Sequence, residues 1–224
     1  MAARDSLGLT GAGGPIGLQR GFSCGLEILT PSRLSLLLFA TAVFIATFAA
    51  PASAITIERA ESHYQDKRYE FVLVATLDAP VERVQAVLRD YANYPSLDER
   101  ILEAKVEARP DAYSVILATT VRACFGPFCR NVTRVERVVE SPLELKAVSD
   151  PSRSDVKFGE THTMLSVSEG HTRVSYRTAI TPAFWIPAIA GRRWLLGTLS
   201  DATIELFKNV ELRAQELSAA AQPE

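Results

Sequence analysis

Residues 69–95 read YEFVLVATLDAPVERVQAVLRDYANYP, and the change of period inside this stretch frames the rest of the chain. Tyr69, Phe71, Leu73, Ala75 and Leu77 alternate with Glu70, Val72, Val74 and Thr76. That alternation predicts a strand covered on one face and partly on the other. At Asp78-Ala79-Pro80 the period changes. The Asp78 carboxylate can accept from the open N–H groups of a helix start, and proline fits a first helical turn. Val81, Val84, Val87, Leu88 and Tyr91 then follow at helical spacing. Pro95 is predicted to end the segment, because it disfavours helical geometry at Tyr94.

Downstream lie short strand-like runs with turn residues between them: 101–108, 113–122, 130–140, 143–149, 158–167 and 172–180. Connections this short make sequential strands antiparallel neighbours. From about Pro187 to Ala219 the period is helical, with Leu195, Leu199, Ala202, Leu206, Val210, Arg213 and Leu217 on one stripe. Glu205, Lys208 and Glu211 fall off it, so an amphipathic helix is expected with its apolar face on the sheet. The fold class is α+β: a curved antiparallel sheet wrapped around a long C-terminal helix. A concave space between them suits a small apolar ligand.

Upstream, Leu34 to Ala50 is apolar and uncharged, follows Arg33, and ends at Pro51-Ala52-Ser53-Ala54. Basic residue, apolar run and small-x-small site make a secretory signal, with cleavage between Ala54 and Ile55. The alternative is an uncleaved tether to the inner membrane, since 17 residues lie at the lower edge of a spanning helix. The expected organisation is a presequence over 1–54, an N-terminal extension over 55–67, one domain over 68–218 and a tail over 219–224. The expected compartment is the periplasm. Removing the presequence moves the formal charge only from −2 to −3, because it holds three arginines and two acids. No overall positive field is left for nucleic acid.

The element order, together with Asp78-Ala79-Pro80-Val81-Glu82-Arg83-Val84 and Asp90-Tyr91-Ala92-Asn93-Tyr94-Pro95, resembles the START-like (SRPBCC, Bet v 1-like, helix-grip) superfamily. Within it, the match is to the polyketide cyclase/dehydrase and coenzyme-Q-binding START-domain group, over roughly Arg68 to Leu217. Members include lipid and quinone carriers, aromatic cyclases and toxin-like proteins that act on ribosomes. Export argues against the last. The resemblance implies a hydrophobic small-molecule partner, lipid or isoprenoid-quinone-like, and no cofactor. Strand alternation and the helix stripe nominate Tyr94, Leu117, Met164, Tyr176, Trp185, Leu195, Leu199 and Leu206 as ligand contacts.

Cleavage would remove Cys24 and leave Cys124 and Cys129, which flank a four-residue turn. Two strands joined there place them across from each other, so a hairpin disulfide is expected in an oxidising compartment. The rival reading, a redox pair, lacks thioredoxin-type spacing. No further metal ligands stand near them in sequence, so no metal is expected.

His162 shares a strand face with Glu160 and Met164. If that face points into the cavity, His162 and Glu160 could serve a cyclase or dehydratase on a polyketide-like substrate; otherwise they are surface groups. Arg122, Arg130, Arg134 and Arg137 with Glu136, and Arg173 with Arg177, either cradle an anionic head group or form the solvated outer face of the sheet. Residues 183–196 are apolar, hold both tryptophans and carry Arg192-Arg193. Phe184, Trp185, Arg192, Arg193 and Trp194 are expected either to meet a membrane surface or to pack as the floor of the fold. A protein-interaction module using that aromatic segment is a further alternative.

Overall fold

The computed structural model describes residues 55–125, 128–186 and 190–221. The apolar run 34–50 and Ala54 lie outside them. Eight strands form one antiparallel sheet: β1 (Thr56–Gln65), β2 (Arg68–Leu77), β3 (Ile101–Asp111), β4 (Ser114–Phe125), β5 (Phe128–Ser141), β6 (Glu144–Ser149), β7 (Val156–Ser168) and β8 (His171–Pro182). Their spatial order is β1-β2-β8-β7-β6-β5-β4-β3. Helices α1 (Val81–Arg89) and α2 (Tyr94–Leu97) bridge β2 to β3, and α3 (Ala190–Ala219) closes the chain. The sheet curves around α3, which lies against β1, β2 and α1.

β2 follows its alternation: Tyr69, Phe71, Leu73, Ala75 and Leu77 are buried, and the last four have no exposure at all. Those four meet Val84, Val87 and Leu88 of α1 and Phe207, Val210 and Ala214 of α3 in the main core, while Tyr69 packs with Ile180 and Leu195. Each such aliphatic side chain contributes about 1.5–3 kcal/mol through burial.

Several elements differ from the sequence expectation. Residues 55–67, expected as an extension, contain β1. Its side chains are mostly exposed and polar, with Glu58, Arg59 and Glu61 charged, so no apolar period marks it. It is an edge strand, where charge guards against further pairing. Asp66 and Lys67, at φ 52° and 65°, make the two-residue turn to β2 without the usual Asn-Gly signal. Pro95 does not end a helix. Tyr94 is helical (φ −53°, ψ −37°), and Pro95 sits in the first turn of α2, where its missing N–H costs nothing. β3 continues through Pro110 to Asp111, because it is the other edge strand and its register shifts absorb the proline.

Asp78 does not cap α1. Its carboxylate pairs with His171 Nδ1 at 3.0 Å, and its N–H donates to Glu211 Oε1 at 2.6 Å. Glu211 is therefore not off the apolar stripe but fully buried, while Arg213 is exposed and pairs with Glu216. The buried face of α3 runs through Leu195, Thr203, Phe207, Val210, Glu211 and Ala214. It is turned by about one residue from the expected stripe.

Candidate functional site

A cavity of about 190 Å³ lies between the sheet, α1–α2 and α3. Pleating decides its walls, because every second residue of a strand faces the same way. β4 supplies Leu117, Thr119 and Val121; β5 supplies Arg134, Glu136 and Val138. β6 adds Leu145 and Ala147, β7 adds Thr161 and Thr163, and β8 adds Tyr176. Tyr91 and Tyr94 close one side, and Leu206 and Phe207 of α3 close another. The volume equals about six liquid waters, enough for a ring-sized group.

The aromatic wall is fixed in place. The Tyr94 hydroxyl donates to the Leu88 carbonyl at 2.7 Å, and the Tyr91 hydroxyl donates to Glu140 Oε1 at 2.7 Å. Tyr91 and Tyr94 meet edge to face at 5.5 Å, as do Tyr176 and Phe207 at 5.4 Å. Burial pushes all three phenols up, aided for Tyr91 by its bond to Glu140 and for Tyr94 by the charge of Glu136. At Tyr176 the Arg134 guanidinium and the hydroxyls of Thr178 and Thr161 oppose that rise. All three stay protonated at neutral pH.

An ion pair stands in this chamber of aliphatic, aromatic and threonine side chains. Arg134 Nη2 donates to Glu136 Oε1, and the Ser149 hydroxyl donates to the same oxygen at 3.1 Å. Both charged side chains are mostly covered, with 22% of Arg134 and 10% of Glu136 accessible. Buried polar atoms almost always find a partner. Arg134 Nε is buried and bonds to no protein atom among the described residues. Gly159 makes the arrangement possible: a Cβ there would stand 2.2 Å from Ser149 Oγ.

Of the nominated contacts, Tyr94, Leu117, Tyr176 and Leu206 surround the cavity. Leu199 packs beside it between two core clusters, and Leu195 is buried against Tyr69 and Ile180. Trp185 is 82% exposed and is not part of its wall. Met164 is half exposed on the convex face. His162 and Glu160 share that convex face, since Gly159, Thr161, Thr163 and Leu165 take the inward positions of β7. His162 Nε2 meets Glu144 Oε1 there. The two residues offered for acid–base chemistry thus point away from the cavity.

Arg137, Arg173 and Arg177 pair with Asp111, Glu58 and Glu70 on the outer face. Arg134 and Glu136 do not belong with them. The sequence held a signal for this. Cys124 faces Cys129 and the two are bonded. Counting back along the hairpin puts Thr119 opposite Arg134 and Leu117 opposite Glu136, which makes them neighbours on one face. A larger groove, about 930 Å³, lies between α2 and α3. Its lining is mainly polar and charged, including the pairs Asp98–Arg100 and Arg213–Glu216, with Leu97 and Leu212 its only apolar side chains.

No family model matches the sequence, and no curated protein matches it. Solved structures do match. The Zhui aromatase/cyclase of a Streptomyces species superposes with a TM-score of 0.58 at 12% identity, covering 70% of this chain and 99% of its own. The STAR-related lipid transfer protein of Xanthomonas axonopodis gives 0.57 at 13% identity, covering 75% and 97%. A protein of Thermus thermophilus gives 0.55 at 20% identity, covering 68% and 99%. The fold is START-like. At these identities the likeness is one of fold, and in this START-like domain the chemistry must be read from the cavity itself. Among the described residues no cluster suited to a metal ion occurs, and no helix is long and apolar enough to cross a membrane.

Proposed function

We propose that the protein is an exported binder of an apolar small molecule carrying a polar ring or head, lipid- or isoprenoid-quinone-like, held between the sheet and α3. The single observation that carries this is the chamber between sheet and α3 with one mostly buried polar pair. The apolar wall would supply affinity, at about 25 cal/mol per Å² buried before the costs of association. Arg134, Tyr176 and the threonines would orient a carbonyl or hydroxyl of the head. A chamber of about 190 Å³ is below the usual 300–1,000 Å³ of drug-sized sites, so the ligand's tail would lie at the surface or displace side chains. The lipid-transfer protein among the structural neighbours fits this reading.

Export is supported by the order of residues in 33–54 and by the Cys124–Cys129 bond, which suits an oxidising compartment such as the periplasm. Retention of residues 34–50 would instead hold the carrier at the inner membrane. Delivery would involve the membrane surface through the segment holding Phe184, Trp185, Arg192, Arg193 and Trp194. Methyl NMR of the protein titrated with an apolar extract of its host's membranes tests the site. Shifts at Leu117, Leu145 and Leu206, with Met164 unmoved, are expected; shifts confined to the convex face would refute it.

The aromatase/cyclase among the neighbours gives a catalytic alternative. The observation in its favour is Glu136 beside Tyr176 in the cavity, not His162. It predicts turnover abolished by Glu136→Gln with ligand binding kept.

A further inference from the structure

All three arginine–ring stacks among the described residues stand at one end of the sheet. Arg68 lies 4.2 Å over Phe158, Arg130 4.5 Å over Phe184, and Arg192 4.0 Å over Tyr64. They fasten together the β1–β2 turn, the tip of the β4–β5 hairpin and the entry to α3. Further bonds join the same parts. The Thr181 hydroxyl donates to the Lys67 carbonyl at 3.2 Å, and the Ala183 N–H to the Asp155 carbonyl at 2.9 Å. Arg130 also pairs with Asp155 at 3.3 Å.

This rim carries the two most exposed large apolar side chains of the described residues, Trp185 at 82% and Phe128 at 77%. Trp185 adjoins Phe184, and Phe128 is two residues from Arg130, so the Arg130–Phe184 stack brings both to one rim. Trp194, by contrast, packs against the Tyr69–Ile180–Leu195 cluster. The charge there is lopsided. Lys67, Arg68, Arg130, Arg192 and Arg193 stand against Asp66 and Asp155. Away from the rim, the groove between α2 and α3 is acidic, with Asp98, Glu99, Asp201, Glu205 and Glu216 against Arg100 and Arg213.

We propose that this rim docks on an anionic lipid surface, Trp185 and Phe128 entering the interface while Arg130, Arg192 and Arg193 meet the head-group phosphates. Tryptophan beside arginine favours the membrane–water boundary, where each cation near an anionic surface contributes about a fivefold gain in partition. Phe128 opens β5 and Trp185 follows β8, so the two aromatics stand on different parts of the rim. That suits penetration between head groups better than the face of a folded partner. The proposal sharpens the membrane contact of the proposed function and rests on no occupant of the cavity.

The test uses the full chain with Trp194→Phe, which leaves Trp185 as the only tryptophan. Vesicles of phosphatidylcholine with about one third phosphatidylglycerol should shift Trp185 emission to the blue, and brominated lipid should quench it. Pure phosphatidylcholine should do so weakly, and salt should reverse the effect as it screens the arginines. Arg192→Gln with Arg193→Gln should weaken docking about thirtyfold, from two cations at about fivefold each. Leu117→Phe, which fills the cavity, should dock unchanged, so loss of ligand binding and loss of docking are separable. The test reads the difference between the two compositions, because a leader that held the chain on the vesicle would do so on both. Unshifted, unquenched Trp185 on the anionic vesicles would overturn the proposal, as would equal quenching on both compositions.

Discussion

The Arg134–Glu136 pair stands where charge is expensive, and breaking it should separate stability from function. Glu136→Leu alone would leave the Arg134 guanidinium mostly buried, with its Nε already without a protein partner, and would leave the Ser149 hydroxyl without its acceptor. Removing one member of a buried pair costs about 3–5 kcal/mol. Because 22% of Arg134 remains accessible, the lower end applies, about 3 kcal/mol. For a domain of this size that is a fall in Tm of roughly 6–12 °C. Replacing both members, Arg134→Met with Glu136→Leu, removes the stranded charge together with its desolvation cost. The double variant should lie within about 1 kcal/mol of wild type or above it. Arg134→Met alone should cost a similar amount, so a double-mutant cycle followed by urea unfolding should show a coupling of about 5 kcal/mol. The same double variant should lose the polar-headed ligand that wild type carries. If the double variant were as unstable as the two single losses combined, the pair would be structural. If it kept the ligand, the pair would not be the orienting group.

Other outcomes follow from the same geometry. Gly159→Ala should break the Ser149–Glu136 bond and cost about 1–3 kcal/mol in urea unfolding. Adding Ser149→Ala should relieve only part of this, since the new Cβ would still stand 2.9 Å from Ser149 Cβ. Glu211→Ala should cost about 2–4 kcal/mol by stripping the Asp78 N–H of its buried acceptor, and Glu211→Gln should cost much less, because the amide oxygen still accepts. Glu144 is held below the ordinary glutamate range by Lys146 first and His162 second. A carboxylate with a depressed folded value stabilises above its unfolded value and loses that as pH falls through the folded one, so its small contribution should vanish on acidification below about pH 4. NMR titration of His162→Ala should show Glu144 moving up toward the ordinary value while ligand binding stays unchanged; lost binding would restore a role for His162.

Much of this was legible in the sequence because apolar periods mark elements that pack on one side. β2 and the short strands after it are of that kind, and so is the Cys124–Cys129 hairpin. β1 was not legible, because an edge strand built from Glu58, Arg59, Glu61 and His63 buries too little to leave a pattern. Glu211 was misplaced because a charged residue on a helix reads as solvent-facing unless its backbone partner, here 133 positions away, is known. The cavity divides in the same way. Leu117, Tyr176 and Leu206 follow from alternation and the helix stripe. Arg134 and Glu136 look like outer-face charges until the hairpin register is counted back from the cysteines. Met164 and His162 fail for the complementary reason: β7 puts Gly159, Thr161, Thr163 and Leu165 toward the helix, and the residues between them on the other face. A chamber lined partly by threonine has no strong hydrophobic signature of its own.

Native mass spectrometry of the protein taken from the exported fraction, followed by solvent extraction of what it carries, tests the central claim most directly. The account predicts one apolar molecule with a polar ring or head per chain, displaced in Leu117→Phe and in the Arg134→Met, Glu136→Leu double variant. Repeated preparations of wild type that carry no apolar ligand, or a ligand that Leu117→Phe retains in full, would contradict it.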